Sequence, residues 1–274
     1  MTKVRPARWA GVALACGLAA ACSSKPVEMR AQLSTATTNG WPSPTTVPRP
    51  TTTDAPANAP ASKPGYIPSA STLVLTADND ALSEGWAHIE VTTSGQGHYA
   101  DYSEDSGPAI GHQMITIDGA HAEAIVIGGV AYARGDGAAV VNRFGLPAAD
   151  EWRLANQWIL FSGDDAAFSD VSSGVTLRSE LGELTLGGTL QVGAPTVIDG
   201  VQAVPITGAV TSANGNAPGT GTLYITPGSH TLPVEMDVRA VDGTTSRVRY
   251  SQWGVAVALS APAGAVPASS VASN

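Results

Sequence analysis

The sequence predicts an α+β fold built mainly from antiparallel β-strands. Three observations predict it. Residues 66–274 alternate apolar and polar side chains at period two over most of their length, turn dipeptides separate the alternating runs, and two or three segments of helical spacing interrupt them.

In chain order, Ser71 to Ala81 places Leu73, Leu75 and Leu82 near one helical face. Trp86 to Thr92 then alternates as a half-buried strand, as do Val201 to Val210, Gly221 to Thr226, Leu232 to Arg239 and Ser246 to Trp253. Between such runs stand Asp118-Gly119, Gly128-Gly129, Asp136-Gly137, Asp199-Gly200, Asn214-Gly215, Pro227-Gly228 and Asp242-Gly243. These pairs accept the positive φ angles of tight hairpins, so the connections are predicted to be mainly antiparallel. Mid-sequence, Asp164 to Leu186 sets Phe168, Val171, Val175, Leu177, Leu181 and Leu184 at mostly helical spacing, and a shorter helix is predicted over Ala148 to Asn156. A sheet with one apolar face must bury it, so these helices are expected to cover that face.

The first quarter of the 274-residue chain has a different character. Lys3, Arg5 and Arg8 form a positive n-region, and Trp9 to Ala21 is an uncharged run too short to span ~30 Å of hydrocarbon as a helix. It reads as a signal peptide over residues 1–21. The run ends Leu18-Ala19-Ala20-Ala21-Cys22, where small residues admit a lipoprotein signal peptidase and the Cys22 thiol takes a diacylglycerol. The usual Leu three residues before the cysteine is Ala19 here, and Leu18 sits one place early. Cys16 after Ala13-Leu14-Ala15 is a rival site, and Cys22 is preferred because stopping at Cys16 leaves an h-region of only about seven residues. An ordinary signal peptide cleaved after Ala21 is the alternative. Two acyl chains on Cys22 would hold the protein durably on the outer face of the plasma membrane.

Residues 22–68 form the lipidated N-terminus and a linker rich in Pro, Thr and Ala, from Pro26 to Pro68, with scarcely any apolar periodicity. Such a stretch cannot bury enough surface to order itself. As polyproline II, its forty-five or so residues would reach ~140 Å, and as a flexible coil ~35–40 Å. Thr45, Thr46 and Thr51 to Thr53 among prolines have the composition of a glycosylated stalk, or of a plain spacer. Residues 69–263 are then the folded domain and 264–274 a disordered tail.

Charge divides along the same boundary. Residues 1–65 carry a net +5, whereas residues 66–274 hold seven Arg, no Lys and 21 acidic groups, a net of −14. So acidic a domain repels phosphate backbones, which excludes nucleic acid as a partner class. Both cysteines lie in the export segment, so the domain has no disulfide, thiolate metal site or cysteine nucleophile. No Gly-x-Ser-x-Gly elbow and no phosphate-binding or dinucleotide glycine pattern is present. The five histidines show no metal-ligand spacing, although His112, Asp118 and His121 flank one turn, and His98 with Asp101, Glu104 and Asp105 reads as a polar loop. Arg134-Gly135-Asp136 needs only turn chemistry to explain it. No enzyme, cofactor or metal is expected.

Several motifs, taken in order, resemble one family. They are Ile127-Gly128-Gly129-Val130-Ala131-Tyr132, Trp158-Ile159-Leu160-Phe161, Asp199 to Gly208, Leu223-Tyr224 with Leu232-Pro233-Val234, and Tyr250-Ser251-Gln252-Trp253-Gly254 running on to Ala261-Pro262. Following a lipobox at this spacing, they make the chain similar to the actinobacterial LppX/LprAFG lipoproteins, whose fold is similar to that of the lipoprotein carrier LolA. The likeness covers roughly residues 72–262. It implies a curved antiparallel half-barrel whose concave face is covered by helices, with an apolar cavity that takes acyl chains. It further implies that Val175, Leu177, Leu181 and Leu184 line that cavity, and it supplies no catalytic residue. The acidic, lysine-free domain departs from what an anionic lipoglycan would need. The expected function is an envelope lipoprotein that binds or carries a lipid. The alternative is a partner-binding lipoprotein supporting an envelope complex or transporter, and a cavity above ~300 Å³ lined by Leu and Val would favour the first.

Overall fold

The computed structural model describes residues 68–137, 139, 144, 151–165, 167–212 and 219–271. The signal peptide, Cys22, nearly all of the linker, the Asn214-Gly215 turn, the first residues of the helix predicted over Ala148 to Asn156 and the last three residues of the tail lie outside this set.

The first element is helix α1, Ala70–Glu84. Ser69 caps it, its hydroxyl accepting the Thr72 N–H at 3.2 Å, and Gly85 ends it in the left-handed conformation at φ 77°. A Ser N-cap and a Gly just past the last turn are the residues those positions favour. The helix extends slightly beyond the predicted span at both ends. Its far end is fastened to the loop that follows Ile225, where the Thr231 N–H donates to Asp80 Oδ2 at 2.7 Å and His230 contacts Glu84 at 2.8 Å.

Five strands follow as a meander: β1 (Ala87–Gly95), β2 (His98–Ser106), β3 (Ile110–Ile117), β4 (Ala120–Ile127) and β5 (Val130–Gly135). The connections at Asp118-Gly119 and Gly128-Gly129 carry positive φ at both central residues, 51° and 85° in the first and 57° and 84° in the second. That is the type I′ geometry whose twist matches the flanking strands. After helix α2 (Glu151–Leu154) come β6 (Ile159–Phe161), helices α3 (Phe168–Ser172) and α4 (Leu177–Glu183), and β7 (Leu184–Val192). The chain then runs through β8 (Thr196–Ile198), β9 (Val201–Ser212), β10 (Gly219–Ile225), β11 (Pro233–Ala240) and β12 (Thr245–Ser251), and closes with β13 (Val266–Pro267) and α5 (Ala268–Val271).

All thirteen strands join one sheet system in the order β13-β6-β5-β4-β3-β2-β1-β12-β11-β10-β9-β7, with β8 pairing β9 further along. Two antiparallel meanders therefore meet where the first long strand, β1, pairs the last, β12, with Val91 opposite Val248. The described ladders are antiparallel except that of β13 with β6. The ends β13 and β7 do not pair, so the sheet is open, as a half-barrel requires. The predicted architecture, an α+β half-barrel of curved antiparallel sheet with helices over one face, is the one found.

Side chains on the inner face form the core. Ile89 and Val91, Tyr102, Ile115, Ala124 and Val126, Ala131 and Ala133, Ile159 and Phe161, then Val248, Met236, Leu223 and Ile206 belong to one buried cluster. Ala77 and Ala81 of α1, both fully buried, add small side chains that let that helix approach closely. Phe144 meets Phe161 with ring centroids 6.4 Å apart, an edge-inclined contact of the kind aromatic pairs favour.

Three sequence expectations change. The tail expected to be disordered over 264–274 forms β13 and α5 over 266–271, where pairing with β6 and burial of Ala268 and Val271 hold it. The single helical stretch over Asp164 to Leu186 is two short helices and a strand. Ser173 leaves the helical region at ψ 134° and Gly174 follows at φ 75°, which stops α3, and Leu184-Thr185-Leu186 pair with β9. Helical spacing and strand alternation coincide over so short a run, and the unpaired edge of β9 settled the outcome. The polar loop read at His98 to Asp105 is strand β2, in register with β1 from Ala87↔Ser106 to Gly95↔His98 around a two-residue turn at Gln96-Gly97.

Candidate functional site

Helices α3, α4 and α1 lie over the inner sheet face, and the segment joining α3 to α4 is pinned to β2 and β3. Leu177 N–H donates to Gly107 O at 3.0 Å, and Ser106 Oγ lies 3.1 Å from Val175 O. The approach is so close that a Cβ at position 111 would sit 1.8 Å from Val175 O, so only glycine fits there. The four residues expected to line a cavity are placed as follows. Val175 and Leu177 are 0% and 1% exposed within the core cluster, Leu181 packs against that cluster half-buried, and Leu184 is the first residue of β7, opposite Ser212.

The same covered face holds a polar patch that sequence reasoning missed. Tyr250, Ile89, Glu104, Gln113 and Ala124 stand in one cross-strand row on β12, β1, β2, β3 and β4. Glu104 is 1% exposed and Gln113 0%, and Gln113 Nε2 donates to Glu104 Oε1. Gln113 Oε1 is buried with no hydrogen-bond partner among the described residues. Glu180 of α4 is 2% exposed and close enough to Tyr250 of β12 for its charge to act on the phenol. Burial pushes the Tyr250 phenol well above its usual range, and the charges of Glu180, Asp78 and Glu104 push it the same way. Burial likewise raises the Asp78 carboxyl of α1. The patch escaped notice because Glu104 was read, with His98, Asp101 and Asp105, as part of a polar loop. The available signal was the two-residue turn at Gln96-Gly97, which fixes Glu104 in phase with Ala100 and Tyr102.

The outer face is polar and laced with ion pairs. His112 Nε2 and Glu123 Oε1 lie 2.8 Å apart, and Arg134 Nε donates to Glu123 Oε2 at 2.7 Å. Burial raises the Glu123 carboxyl, and the hydrogen bonds from His112 and Arg134 outweigh that, leaving it below its ordinary value. His88 pairs Asp105 at 2.8 Å, a hydrogen bond that raises the imidazole despite partial burial. Across β9 to β12 and β1, a groove of about 510 Å³ is lined by Thr92, Thr207, Thr222, Asp237, Arg239 and Arg247, among others. Its hydroxyls and charges make it unlike an acyl-chain site. His98 and Asp118 are joined at 2.7 Å, His121 contacts Thr116, and His112 faces Glu123, so the histidines flanking that turn are engaged by separate partners. Among the described residues no group of three or more His, Cys, Asp or Glu is placed to hold a metal ion. No described helix is long and apolar enough to cross a membrane.

No family model matches the chain, and no curated protein matches it. Among solved structures it is similar to the lipoprotein LppX of Mycobacterium tuberculosis, at 16% identity and a TM-score of 0.45, over 70% of this chain and all of that one. It is also similar to an uncharacterized conserved protein of Thermus thermophilus, at 8% identity and a TM-score of 0.41, over 73% of this chain and 98% of that one. Both scores fall below 0.5, and the architecture rests on the pairing and burial given above.

Proposed function

We propose that this protein is an envelope lipoprotein, anchored through Cys22, that holds the acyl part of a lipid against the inner face of its sheet. One observation carries the reading: a mostly aliphatic face, interrupted by Glu104 and Gln113, spread across β6 to β1 and on to β9, whose mid-sequence cover consists of a five-residue and a seven-residue helix. Helices this short are held in place by tertiary packing rather than by their own propensity. Val175, Leu177 and Leu181 would be the side chains of this cover that meet the chains, with Leu184 on the adjoining strand β7. The Pro-rich spacer would carry the domain away from the bilayer.

A second reading, a partner-binding lipoprotein that supports an envelope complex or transporter, is favoured by the tight packing of Val175 and Leu177 into the core. Leu181→Phe separates the two. With an acyl chain beneath α4, the added volume should displace it: binding of a fluorescent fatty-acid probe falls several-fold while the melting temperature barely moves. In a permanently packed interior the same change costs about 1–3 kcal/mol through overpacking and leaves probe binding as it was.

A further inference from the structure

We propose that the outer face of the sheet carries a second binding site, a groove across β9 to β12 and β1 that takes an acidic glycan, a run of sugar rings whose carboxylate pairs with Arg239. The proposal stands apart from the lipid-binding reading, because the groove lies on the face turned away from the helices and the aliphatic core.

Register sets the groove's side chains in two parallel rows. Thr207, Thr222, Asp237, Arg247 and Thr92 stand opposite one another across successive strands, and in the next row Arg239 stands between Thr220 and Thr245. Threonine suits a strand on its own account, so the hydroxyls alone say little. Arg239 is different. Of the four described arginines on the outer face of the sheet, Arg134 pairs with Glu123, Arg247 with Asp237 and Arg249 with Glu235, whereas Arg239 is exposed and meets no carboxylate among the described residues. Directly opposed residues stand about 5 Å apart at Cβ, so two hydroxyls flank this guanidinium closely. The Thr220 hydroxyl has no hydrogen-bond partner among the described residues, and that of Thr245 is held only by long contacts to Ser94, at 3.3 and 3.4 Å.

Local charge here runs against that of the domain. Asp237 is matched by Arg247 at 2.9 Å, which leaves Arg239 uncompensated in a segment that carries a net −14. A planar guanidinium binds a carboxylate through two parallel hydrogen bonds. A single such cation does not match a phosphate at every unit of a nucleic acid, and the acidic surroundings repel the rest. A peptide adding as a strand has no place either, because β9 to β12 and β1 have neighbours on both sides and their backbone groups are taken by the ladders. What the groove offers beside its cation is hydroxyls that both donate and accept, and sugar hydroxyls are their complement. Size agrees. Five strands about 4.8 Å apart span about 19 Å, and a volume of about 510 Å³ falls in the range of ligand sites, well beyond what a small anion fills.

The test titrates the full chain, in neutral detergent micelles, with aldotetraouronic acid (a xylotriose bearing a single methylglucuronate), with neutral xylotetraose and with inorganic phosphate, and follows binding by saturation-transfer magnetic resonance. An exposed bidentate pair contributes up to about fivefold in affinity, so the acid should bind about fivefold tighter than the neutral sugar. Arg239→Gln should bring that ratio to unity, Thr220→Val should weaken both sugars, and Arg178→Gln, on α4 and outside the groove, should change neither. Binding of neither sugar, equal binding of the two, a ratio that persists in Arg239→Gln, or displacement of the acid by an equal concentration of phosphate overturns the proposal and leaves the lipid-binding reading untouched. Should a variant lose its folded far-ultraviolet spectrum, the wild-type ratio and the phosphate competition decide the matter alone.

Discussion

Gly111→Ala is the sharpest structural perturbation available. The new Cβ would lie 1.8 Å from the carbonyl oxygen of Val175 and 2.9 Å from its carbonyl carbon. Both are backbone atoms, so no rotamer change relieves the clash, and segment 174–177 must retreat by roughly 1.5–2 Å to reach ordinary contact distance. That retreat stretches the Ser106–Val175 and Leu177–Gly107 hydrogen bonds, now 3.1 and 3.0 Å, beyond useful length. Each contributes about 0.5–1.5 kcal/mol net, and overpacking adds about 1–3 kcal/mol, so the total is about 2–6 kcal/mol. For a domain of this size each kcal/mol is about 2–4 °C, which puts the expected fall in melting temperature at about 4–24 °C. Gly163→Ala is the control, because its Cβ meets nothing within 4 Å, and it should shift stability by less than about 0.5 kcal/mol. Thermal unfolding of the two variants followed by circular dichroism is the assay. A Gly111→Ala protein that melts within a degree of wild type would refute the close approach of this segment to the sheet, and with it the account of how the cover is held.

Other outcomes follow from named residues. Cys22→Ala should abolish labelling by a fatty-acid probe and release the protein from membranes, whereas Cys16→Ala should leave both intact; labelling that persists without Cys22 refutes the anchor. Glu123 is held below its ordinary value of 4.5, so its contribution to stability is full above pH 4.5 and is lost as pH falls through the depressed folded value. Glu123→Gln should therefore cost about 1–3 kcal/mol at pH 7 and progressively less in acid, read from denaturant midpoints across that range. His88 has the opposite sign: raised above 6.5 by Asp105, it stabilises fully below pH 6.5, and that contribution disappears as pH rises through the raised folded value. The stability difference between wild type and His88→Gln should accordingly be larger at pH 6 than at pH 9, and a pH-independent difference would count against the His88–Asp105 pair.

Much of the fold was legible because its signals are local. The alternation in Trp86 to Thr92 and in Ser246 to Trp253 reports a face of the sheet, and Asp118-Gly119 or Asp199-Gly200 report positive φ at a turn, so strands and hairpins follow from neighbouring residues alone. What failed depends on partners distant in sequence. Leu184 and Leu186 fit either a helix or a strand, and became strand because the edge of β9 offers them hydrogen bonds. That β1 and β12 would meet in the middle of the sheet is set by pairing between the two ends of the domain, for which the sequence carries no local mark. The proposed anchor rests on a sequence motif at Cys22, outside the described residues. The candidate site is not legible in this way, because Glu104 looks like a polar loop residue and Gln113 like any polar residue until β2 and β3 pair on the covered face. Leu177 and Leu181 look like any helical core residues for the same reason.

The central claim is that the inner sheet face holds a lipid. Native mass spectrometry of the full chain, purified in a mild neutral detergent from an actinobacterial host, tests it directly once the mass of any covalent modification has been subtracted. The account predicts a further, non-covalent adduct of lipid mass that survives desolvation and is diminished by Leu181→Phe. Repeated recovery of the chain with no such adduct, under conditions that retain lipid on a known carrier, contradicts it.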